Sequence, residues 1–362
     1  MSEEFKADDE RTLRRARRKK RLHIAGAVLT LFGIGLFSYF VYSVGVSEIA
    51  ANVERFGWVG FAVILVIYFA RISIRATAWK MSVYEPYHLR VRDTIPAVII
   101  GESLSSMIPL GIVVSGTAKA VAVKKHVPLV VGLSSVATEN LFYSIATSIF
   151  LIFGALTFVR IFDLDPGWAL TIDLLVVAII VIVALLVIMI VRQWHFASEI
   201  CERLYRNGYF TRILENGRLQ VRLFENLIYG FYRQFPGRIL PIFLLEFVYH
   251  ALGVFEVFFI LYRITDGAAG ALAAFLLESV SRLITIVFKL VPFLIGVDEA
   301  GARFVSETLA LGAAVGVTIA IIRKGRIVFW AAVGLLLIVK RGFSVKNLLT
   351  EHEKAKTPEQ EP

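Results

Sequence analysis

Ionisable side chains interrupt stretches of this sequence that are otherwise as apolar as membrane spans; they are Glu102, Glu139, Glu246, Glu278, Arg282 and Lys289. On insertion scales each such group costs about 2.5–3.5 kcal/mol at the centre of a bilayer. A chain that keeps several of them must therefore turn them towards one another or towards water. Groups of this kind are candidates for binding a charged substrate or for carrying protons across a membrane.

Glu278 and Arg282 are four residues apart, so on a helix they share a face and can form an ion pair. Lys289 follows seven residues after Arg282, which places two cations on one stripe that points towards Pro292. Such a stripe suits a phosphate, which an arginine can hold with two parallel hydrogen bonds. The alternative is a pair that only neutralises itself and holds helices together.

Two further pairs of polar residues lie inside apolar runs. Glu246 and His250 share a helical face, where a carboxylate beside an imidazole can pass protons. A hydrogen bond that merely satisfies both groups explains the same spacing. Glu139 and Asn140 either link helices through hydrogen bonds or belong to a binding site.

The segment from Gly101 to Lys119 contains a glutamate, five hydroxyl side chains, a proline and three glycines within an apolar run. Its Glu102-Ser103-Leu104-Ser105 reappears as Glu278-Ser279-Val280-Ser281, and each copy is followed by a proline and a glycine, namely Pro109 and Gly111, and Pro292 and Gly296. Interrupted segments at comparable places in two halves are typical of transporters with inverted repeats and a midplane site. We therefore expect two re-entrant or broken helices whose polar groups, among them Ser103, Ser105, Ser281 and Lys119, line a site buried by protein or water.

The composition is that of a membrane protein, because 57% of the 362 residues are hydrophobic and only 19% are charged. Apolar runs of about 20 residues, long enough to cross a bilayer, recur along most of the chain and leave no room for a second soluble domain. The single Cys201 excludes an internal disulfide framework and a cysteine-rich metal site.

The formal net charge of +10 includes eight basic residues between Arg11 and Arg21, directly before the first apolar run. This placement is the positive-inside signal of a cytoplasmic N-terminus and of contact with anionic headgroups. No aromatic or nucleic-acid motif accompanies the basic run, so we expect no nucleic-acid partner.

The apolar pattern predicts an all-α polytopic membrane protein with about seven to nine membrane segments. We expect residues 1–22 to form a disordered basic cytoplasmic tail, residues 23–342 one helical transmembrane domain, and residues 343–362 a polar tail. Residues 196–238 are predicted to be amphipathic on the cytoplasmic surface, with a solvated loop as the alternative. Arg323 to Arg326 is predicted to form a basic turn. The continuous spans are predicted at about 24–44, 58–79, 128–158, 174–191 and 240–261.

Arg71 and Arg75 lie one helical turn apart near the end of the second predicted span. Long basic side chains at such a position commonly extend along apolar surface to the membrane interface. We therefore expect both arginines to snorkel to the interface.

Motifs of several enzyme classes are absent. The chain has neither a G-x-x-x-x-G-K-[ST] phosphate loop nor an H-E-x-x-H metal motif. Gly101 to Ser105 comes one residue short of the G-x-S-x-G nucleophile elbow and lacks its strand-turn-helix context. We expect no enzymatic activity, no cofactor and no metal, and a driving force from a proton, ion or lipid gradient.

Three stretches follow one another in a specific order: Ile108-Pro109 through Gly116-Thr117-Ala118-Lys119, then Ser134 to Glu139, then Pro292 to Gly301 with a small-residue helix and Arg323 behind it. In these the chain resembles the lysylphosphatidylglycerol synthase transmembrane family of flippase-like proteins, over nearly all of residues 24–342. The resemblance implies a helical protein of the bacterial cytoplasmic membrane whose relatives translocate aminoacylated phospholipid or are suspected of moving other lipids and lipid-linked precursors. Position by position, it points to Pro109, Gly116, Lys119, Glu139, Pro292, Gly296 and Glu299.

The chain departs from the family pattern in two places. Family members often have arginine after the glutamate that Glu139 matches, whereas this chain has Asn140, so the preferred headgroup is expected to differ. Some relatives carry a soluble aminoacyl-transfer domain after the membrane region, and from the polar segment 348–362 we expect none here. A lipid-modifying synthase is therefore disfavoured.

We expect a flippase-like translocase that moves a lipid or lipid-linked precursor with an anionic headgroup across the bacterial cytoplasmic membrane. Hydroxyls and cations would receive the headgroup, the acyl chains would stay in the lipid alongside, and the acids would position the cations or exchange protons; these acids are Glu102, Glu139, Glu278 and Glu299. The alternatives are a non-transporting scaffold for a lipid- or envelope-biosynthesis enzyme and, less favoured, a membrane-embedded lipid transferase. A homo-oligomer or such an enzyme partner is left open.

Overall fold

The computed structural model is helical throughout the residues that it describes and has no strand among them. These residues are 45–107, 111–207, 211–287 and 295–340, with isolated positions between 35 and 43. Nearly all of the predicted span 24–44 lies outside this part of the chain, as do both tails, Pro109, Lys289 and Pro292.

Eleven helices make up the described part of the chain. They are α1 (Val46–Met81), α2 (Val91–Met107), α3 (Gly111–Ala122), α4 (Leu129–Ile161), α5 (Pro166–Val191), α6 (Phe196–Arg206), α7 (Thr211–Gln234), α8 (Pro236–Ile264), α9 (Ala271–Val287), α10 (Val297–Thr308) and α11 (Ala313–Lys340). Four of them, α1, α4, α5 and α8, are long and apolar enough to cross a membrane. A helical multi-pass membrane protein is thereby confirmed, whereas the number of seven to nine segments and the re-entrant path stay predictions.

The helix α1 begins well before the span predicted from residue 58, and it bends at Gly57. There φ is 69° and ψ is 172°, a backbone conformation that residues with a Cβ rarely adopt.

The helix α5 begins where the Asp165 carboxylate accepts a hydrogen bond from the Gly167 amide at 2.9 Å. Only Ile172 and Val176 of α5 are buried, and the helix packs on α4. The rest of its very apolar surface therefore faces lipid.

The predicted turn at Arg323 to Arg326 is wrong, because α11 continues through it as one helix. Basic residues usually mark a loop when nothing in the protein neutralises them. Here Arg326 forms an ion pair with Glu256, and Lys324 Nζ lies 2.8 Å from Glu299 Oε1. Because these charges have partners inside the bundle, they do not indicate which side of the membrane this segment faces.

The order of helices in α1–α4 repeats in α8–α11. Corresponding helices have 36 and 29, 17 and 17, 12 and 12, and 33 and 28 residues. Their packing corresponds as well: α2 packs on α11 as α9 packs on α4, and α1 contacts α11 as α8 contacts α4. The helices α1 and α8 are antiparallel, since Arg55 of α1 donates to the Ile264 carbonyl and Arg238 of α8 donates to the Val83 carbonyl beyond the other end of α1.

The repeated Glu-Ser motif occupies equivalent positions in the two halves. Ser103 of α2 donates to the Ile99 carbonyl at 2.9 Å, and Ser279 of α9 donates to the Phe275 carbonyl at 2.7 Å. A Cβ added at Gly334 of α11 would overlap the Ser103 hydroxyl, and one added at Gly154 of α4 would overlap the Ser279 hydroxyl. Each serine therefore fits against a glycine of the long helix from the other half.

The region predicted as amphipathic forms the two helices α6 and α7. Glu225 of α7 joins them by accepting hydrogen bonds from the Ala197 amide at 2.9 Å and the Ser198 hydroxyl at 2.6 Å. The apolar stripe of α7 is divided. Phe231, which is 1% exposed, packs against Phe142 of α4. Leu219 and Leu223 remain exposed, with exposed fractions of 63% and 46%.

We expect Gly154→Ala and Gly334→Ala each to lower the free energy of unfolding by about 1–3 kcal/mol, because the added methyl group overpacks a serine contact. Gly237→Ala is the matched control, since nothing lies within 4 Å of a Cβ at that position of α8. Thermal unfolding of the purified variants in detergent measures the difference. Equal melting temperatures for Gly154→Ala and Gly237→Ala would contradict the close approach of α4 and α9.

Candidate functional site

Buried charges occupy the middle of the bundle, between two apolar clusters. One cluster includes Phe56 and Ile64 of α1, and the other includes Trp79 of the same helix. Arg71 and Arg75 lie between them along α1. The expectation that these arginines snorkel to the interface is wrong for Arg71, which is 1% exposed, and Arg75 also turns inward to bind carboxylates. Counter-charges on neighbouring helices make the interior the better place for both.

The N-terminal cluster is centred on Arg75 and consists of Arg75, Glu102, Lys119, Glu139 and Asn140. Arg75 Nε donates to Glu139 Oε1 at 2.8 Å and Arg75 Nη2 to Asn140 Oδ1 at 3.0 Å. Glu102 Oε1 lies 3.7 Å from Arg75 Nη1, and Lys119 Nζ lies 4.0 Å from Glu139 Oε2. One guanidinium thus ties α1 to both α2 and α4.

Lys119 reaches this cluster from α3 because α2 has a glycine where the two helices meet. A Cβ at Gly101 would lie 2.8 Å from Lys119 Cγ and 2.9 Å from Ser115 Oγ. The lysine is 2% exposed, so its alkyl chain is packed between helices and its ammonium group faces Glu139. Gly116, one turn before, instead faces Val136 of α4.

The C-terminal cluster joins α1, α8, α9 and α11 and consists of Arg71, Glu256, Glu278, Arg282, Arg323 and Arg326. Arg71 Nη1 donates to Glu256 Oε2 at 3.1 Å, and Arg326 binds the other oxygen of Glu256. Glu278 pairs with Arg282 one turn along α9 and with Arg323 Nη2 at 2.9 Å. Gly253 of α8 leaves room for this arrangement, since a Cβ there would lie 2.8 Å from Glu278 Oε1.

Tyrosine rings cover the buried guanidinium groups. The Arg75 guanidinium lies 4.1 Å from the Tyr143 ring centre, and that of Arg71 lies 4.4 Å from the ring centre of Tyr249. Tyr68 lies 4.0 Å from Arg326 and donates its hydroxyl to Glu102 Oε2 at 2.8 Å. Such faces stabilise a desolvated guanidinium by roughly 2 kcal/mol. The rings therefore let arginines stay charged where water is scarce.

A central cavity of about 270 Å³ opens between the two clusters. Its charged lining consists of four arginines and one glutamate, with hydroxyls of serine and tyrosine between them; the residues are Arg71, Arg75, Arg282, Arg326, Glu102, Ser103, Ser105, Ser106, Tyr68 and Tyr249. Glu139, Glu256 and Glu278 do not line it, because they lie behind the arginines that they neutralise. The cavity wall is therefore cationic.

A lateral cavity of about 500 Å³ lies on the other side of Arg282, between α4, α5, α9, α10 and α11. Isoleucines of α5, α9 and α11 form much of its wall, and its charged lining residues are Arg282, Arg323 and Asp298. Ser281 also lines it, and the Ser281 hydroxyl is buried without a hydrogen-bond partner among the described residues. Arg282 is thus shared by a cationic and a mainly apolar cavity.

The structure brings together most of the residues singled out in the sequence. Glu102, Ser103, Ser105 and Arg282 line the central cavity, so parts of both interrupted segments share one cavity. Glu139, Asn140 and Lys119 lie behind Arg75, whereas Glu278 lies behind Arg282. Sequence reasoning missed five residues of the site, namely Arg71, Arg75, Glu256, Arg323 and Arg326. The available signal was that Arg71 and Arg75 are four residues apart and Arg323 and Arg326 three apart, so that each pair shares a helical face.

Glu299 and Gly296 lie apart from both clusters, at the start of α10. Glu299 Oε2 accepts a hydrogen bond from the Gly296 amide at 2.8 Å, and its Oε1 lies 2.8 Å from Lys324 Nζ. Gly296 has a φ of 81°, which favours glycine. These contacts cap a helix and hold α10 against α11.

Glu246 and His250 do not form the hydrogen bond that one interpretation of their spacing required. His250 Nε2 is 3.0 Å from the Thr147 hydroxyl, and the His250 ring stacks on Phe150 with centres 4.8 Å apart. Both oxygens of Glu246 lack a hydrogen-bond partner among the described residues. Nor do the described residues contain a group of three or more acidic, histidine or cysteine side chains that could hold a metal.

The family model described as "Lysylphosphatidylglycerol synthase TM region" matches residues 24–338, nearly the whole chain. No curated protein and no solved structure matches the chain.

We expect Glu278→Gln to lower the free energy of unfolding by about 3–5 kcal/mol, because it leaves buried arginines without their shared counter-charge. Glu85→Gln, which breaks the exposed pair with Arg238, should cost less than about 1 kcal/mol. Thermal unfolding in detergent at matched protein concentration compares them. A melting temperature for Glu278→Gln as high as that for Glu85→Gln would contradict the network.

Proposed function

Because the chain belongs to the family of the lysylphosphatidylglycerol synthase TM region, we propose that it is a translocase that moves a lipid or lipid-linked precursor with an anionic headgroup across the bilayer. The observation that carries the proposal is the central cavity, where four arginines and one glutamate line a space of about 270 Å³ inside an apolar bundle. A membrane protein that retains this many charges at one place has a use for them.

The arrangement of the arginines favours a phosphate group as the part of the lipid that binds. Guanidinium groups present parallel N–H donors that match phosphate oxygens, and they are more weakly hydrated than ammonium groups. The carboxylates of Glu139, Glu256 and Glu278 do not line the cavity, so its wall presents four guanidinium groups and the single carboxylate of Glu102. Ser105, Ser106 and Tyr249 add hydroxyls for the polar part of a headgroup.

The lateral cavity supports the same function from the apolar side. Its wall is mainly aliphatic, and it includes Ile179 and Ile182 of the lipid-facing helix α5 as well as Arg282. A phosphate held by Arg282 would leave the attached hydrocarbon chain next to this cavity. The hydrocarbon chain of the lipid then need not cross the cationic wall, and only the headgroup passes through the central cavity.

The corresponding order of α1–α4 and α8–α11 supports the predicted inverted repeat. Because α1 and α8 are antiparallel, the pair α2–α3 and the pair α9–α10 would enter the bilayer from opposite faces. With the predicted span 24–44 and a cytoplasmic N-terminus in the bacterial cytoplasmic membrane, the pair α2–α3 would enter from the cytoplasmic face. Broken helices that meet at the centre from opposite faces are the usual basis of alternating access.

One observation favours a second candidate, a non-transporting scaffold for a lipid-biosynthesis enzyme. Leu219 and Leu223 of α7 are exposed on a helix outside the spans, and such residues are common in docking surfaces. A scaffold, however, has no need of a cationic cavity within the membrane.

Lipid movement in proteoliposomes tests the proposal. We expect wild-type protein to move a fluorescent anionic or polyprenyl-phosphate lipid between leaflets faster than a zwitterionic one, and Arg282→Gln or Arg75→Gln to slow this at least about 10-fold, since each removes a charge-assisted contact to phosphate worth about 1.5–3 kcal/mol. Arg238→Gln is the control, because Arg238 pairs with Glu85 at the surface.

Folded wild-type protein that moves none of these lipids would contradict translocation and favour the scaffold. A product of new mass in the same vesicles would instead identify a transferase. Equal rates for Arg282→Gln and Arg238→Gln would remove the central cavity from the transport path.

Filling the lateral cavity tests whether it holds the hydrocarbon chain of the lipid, independently of headgroup binding. Ser148→Trp places a large side chain into this cavity from α4, so we expect it to slow lipid movement about 10-fold while binding of a short-chain headgroup analogue changes less than about 2-fold. Leu156→Trp on the exposed face of the same helix is the control. Proteoliposome transport and calorimetric binding measure the two effects, and equal transport by the two variants would contradict the role of the cavity.

A further inference from the structure

Glu246 of α8 is a buried carboxyl group that the proposed headgroup site does not use. Its side chain has no exposed surface, and neither oxygen has a hydrogen-bond partner or an ion-pair partner among the described residues. The other deeply buried glutamates of the bundle differ from it, since Glu139, Glu256, Glu278 and Glu299 each accept from a cation or a backbone amide.

The charged groups that act on Glu246 come from three helices. They are Arg75 of α1, Lys119 of α3 and Glu139 of α4. Both cations already pair with Glu139: Arg75 Nε lies 2.8 Å from Glu139 Oε1, and Lys119 Nζ lies 4.0 Å from Glu139 Oε2. The other titratable groups on helices packed against α8 turn elsewhere: His250 bonds Thr147, Tyr232 of α7 packs on Phe142, and the charges of α9 and α11 pair within the C-terminal cluster.

An ionised carboxylate without donors is very unfavourable in a water-poor interior, and such a group takes up a proton instead. Glu139 already pairs with both Arg75 and Lys119, so a charge on Glu246 would find neither cation unoccupied by another carboxylate. We propose that Glu246 is a proton-binding site, and that its proton and the anionic headgroup bind to the protein cooperatively. The coupling, though not the proton site itself, rests on the proposed function.

Arg75 provides the physical link between the two sites. It binds Glu139, one of the charged groups that act on Glu246, and it also lines the central cavity. Loss of the proton from Glu246 adds a negative charge that competes for Arg75 and repels an anion in the cavity. An anionic headgroup therefore binds more tightly when Glu246 is protonated, and reciprocity requires that the bound headgroup helps to retain the proton. Movement of the two together would let a proton gradient drive lipid transport.

Infrared spectroscopy of the reconstituted protein tests the proton site without any transport. A protonated carboxyl group has a carbonyl stretch that is separate from the bands of a carboxylate. We expect wild type to show this band at neutral pH and Glu246→Gln, which is nearly isosteric, to lose it. Glu225→Gln should retain it, because Glu225 is buried but accepts hydrogen bonds from Ala197 and Ser198. An unchanged band in Glu246→Gln, or no band in wild type, would overturn the proton site.

Binding of short-chain phosphatidylglycerol tests the coupling, because its phosphodiester does not titrate near neutral pH. We expect wild-type affinity to fall about 10-fold as the pH is raised and Glu246 loses its proton. Glu246→Gln should keep the tight affinity throughout, since the amide imitates the protonated acid, and Glu225→Gln should follow wild type. Equal pH dependence in Glu246→Gln, or none in wild type, would overturn the coupling.

The two measurements separate this inference from the proposed function. If the infrared band behaves as expected while no anionic lipid binds or moves, the translocase proposal and the coupling fail and the proton site stands. If lipid moves but the rate ignores both pH and Glu246→Gln, translocation stands and the coupling fails.

Discussion

Charges inside a membrane-embedded bundle must be neutralised by the protein itself, and the rest of this structure depends on that requirement. The bilayer offers no counter-ion and little water, so each buried arginine must find carboxylates on other helices. Arg71 and Arg75 meet this need with Glu256, Glu278, Glu102 and Glu139, which lie on α8, α9, α2 and α4. The helix α1 thereby becomes the element to which both halves are tied.

The two clusters contain six cations and four carboxylates, a formal excess of two positive charges, and the charges are unevenly placed; this asymmetry is what creates a site. The carboxylates of Glu139, Glu256 and Glu278 are fully buried behind the guanidinium groups, while the guanidinium groups of four arginines reach the cavity wall. A ligand in the cavity therefore meets four guanidinium groups and one carboxylate, that of Glu102. Tyrosine rings reinforce this by stabilising guanidinium groups without supplying a competing negative charge.

Much of this arrangement could be predicted from the residues. Length and apolarity identified α4, α5 and α8, and the repeated Glu-Ser motif indicated the two halves before their packing was known. The expectations for Arg71 with Arg75 and for Arg323 to Arg326 failed for one reason. Local rules assign a basic residue to the membrane surface or to a turn, whereas these arginines have partners 27 to 207 residues away in sequence, from Arg75 with Glu102 to Arg71 with Glu278. Periodicity within one helix contains no information about such pairs.

The crosswise packing of the two halves has a consequence for how the protein is made. Ser103 of α2 fits against Gly334, which lies in the final described helix, and Ser279 of α9 fits against Gly154 of the first half. A ribosome that has inserted α1–α4 has produced both partners of the Arg75 contacts, but the carboxylate partners of Arg71 follow only with α8 and α9. Until then Arg71 must wait in the translocon or against lipid headgroups. Synthesis of the second half is thus also the completion of the first, and a truncated chain would expose charge to lipid.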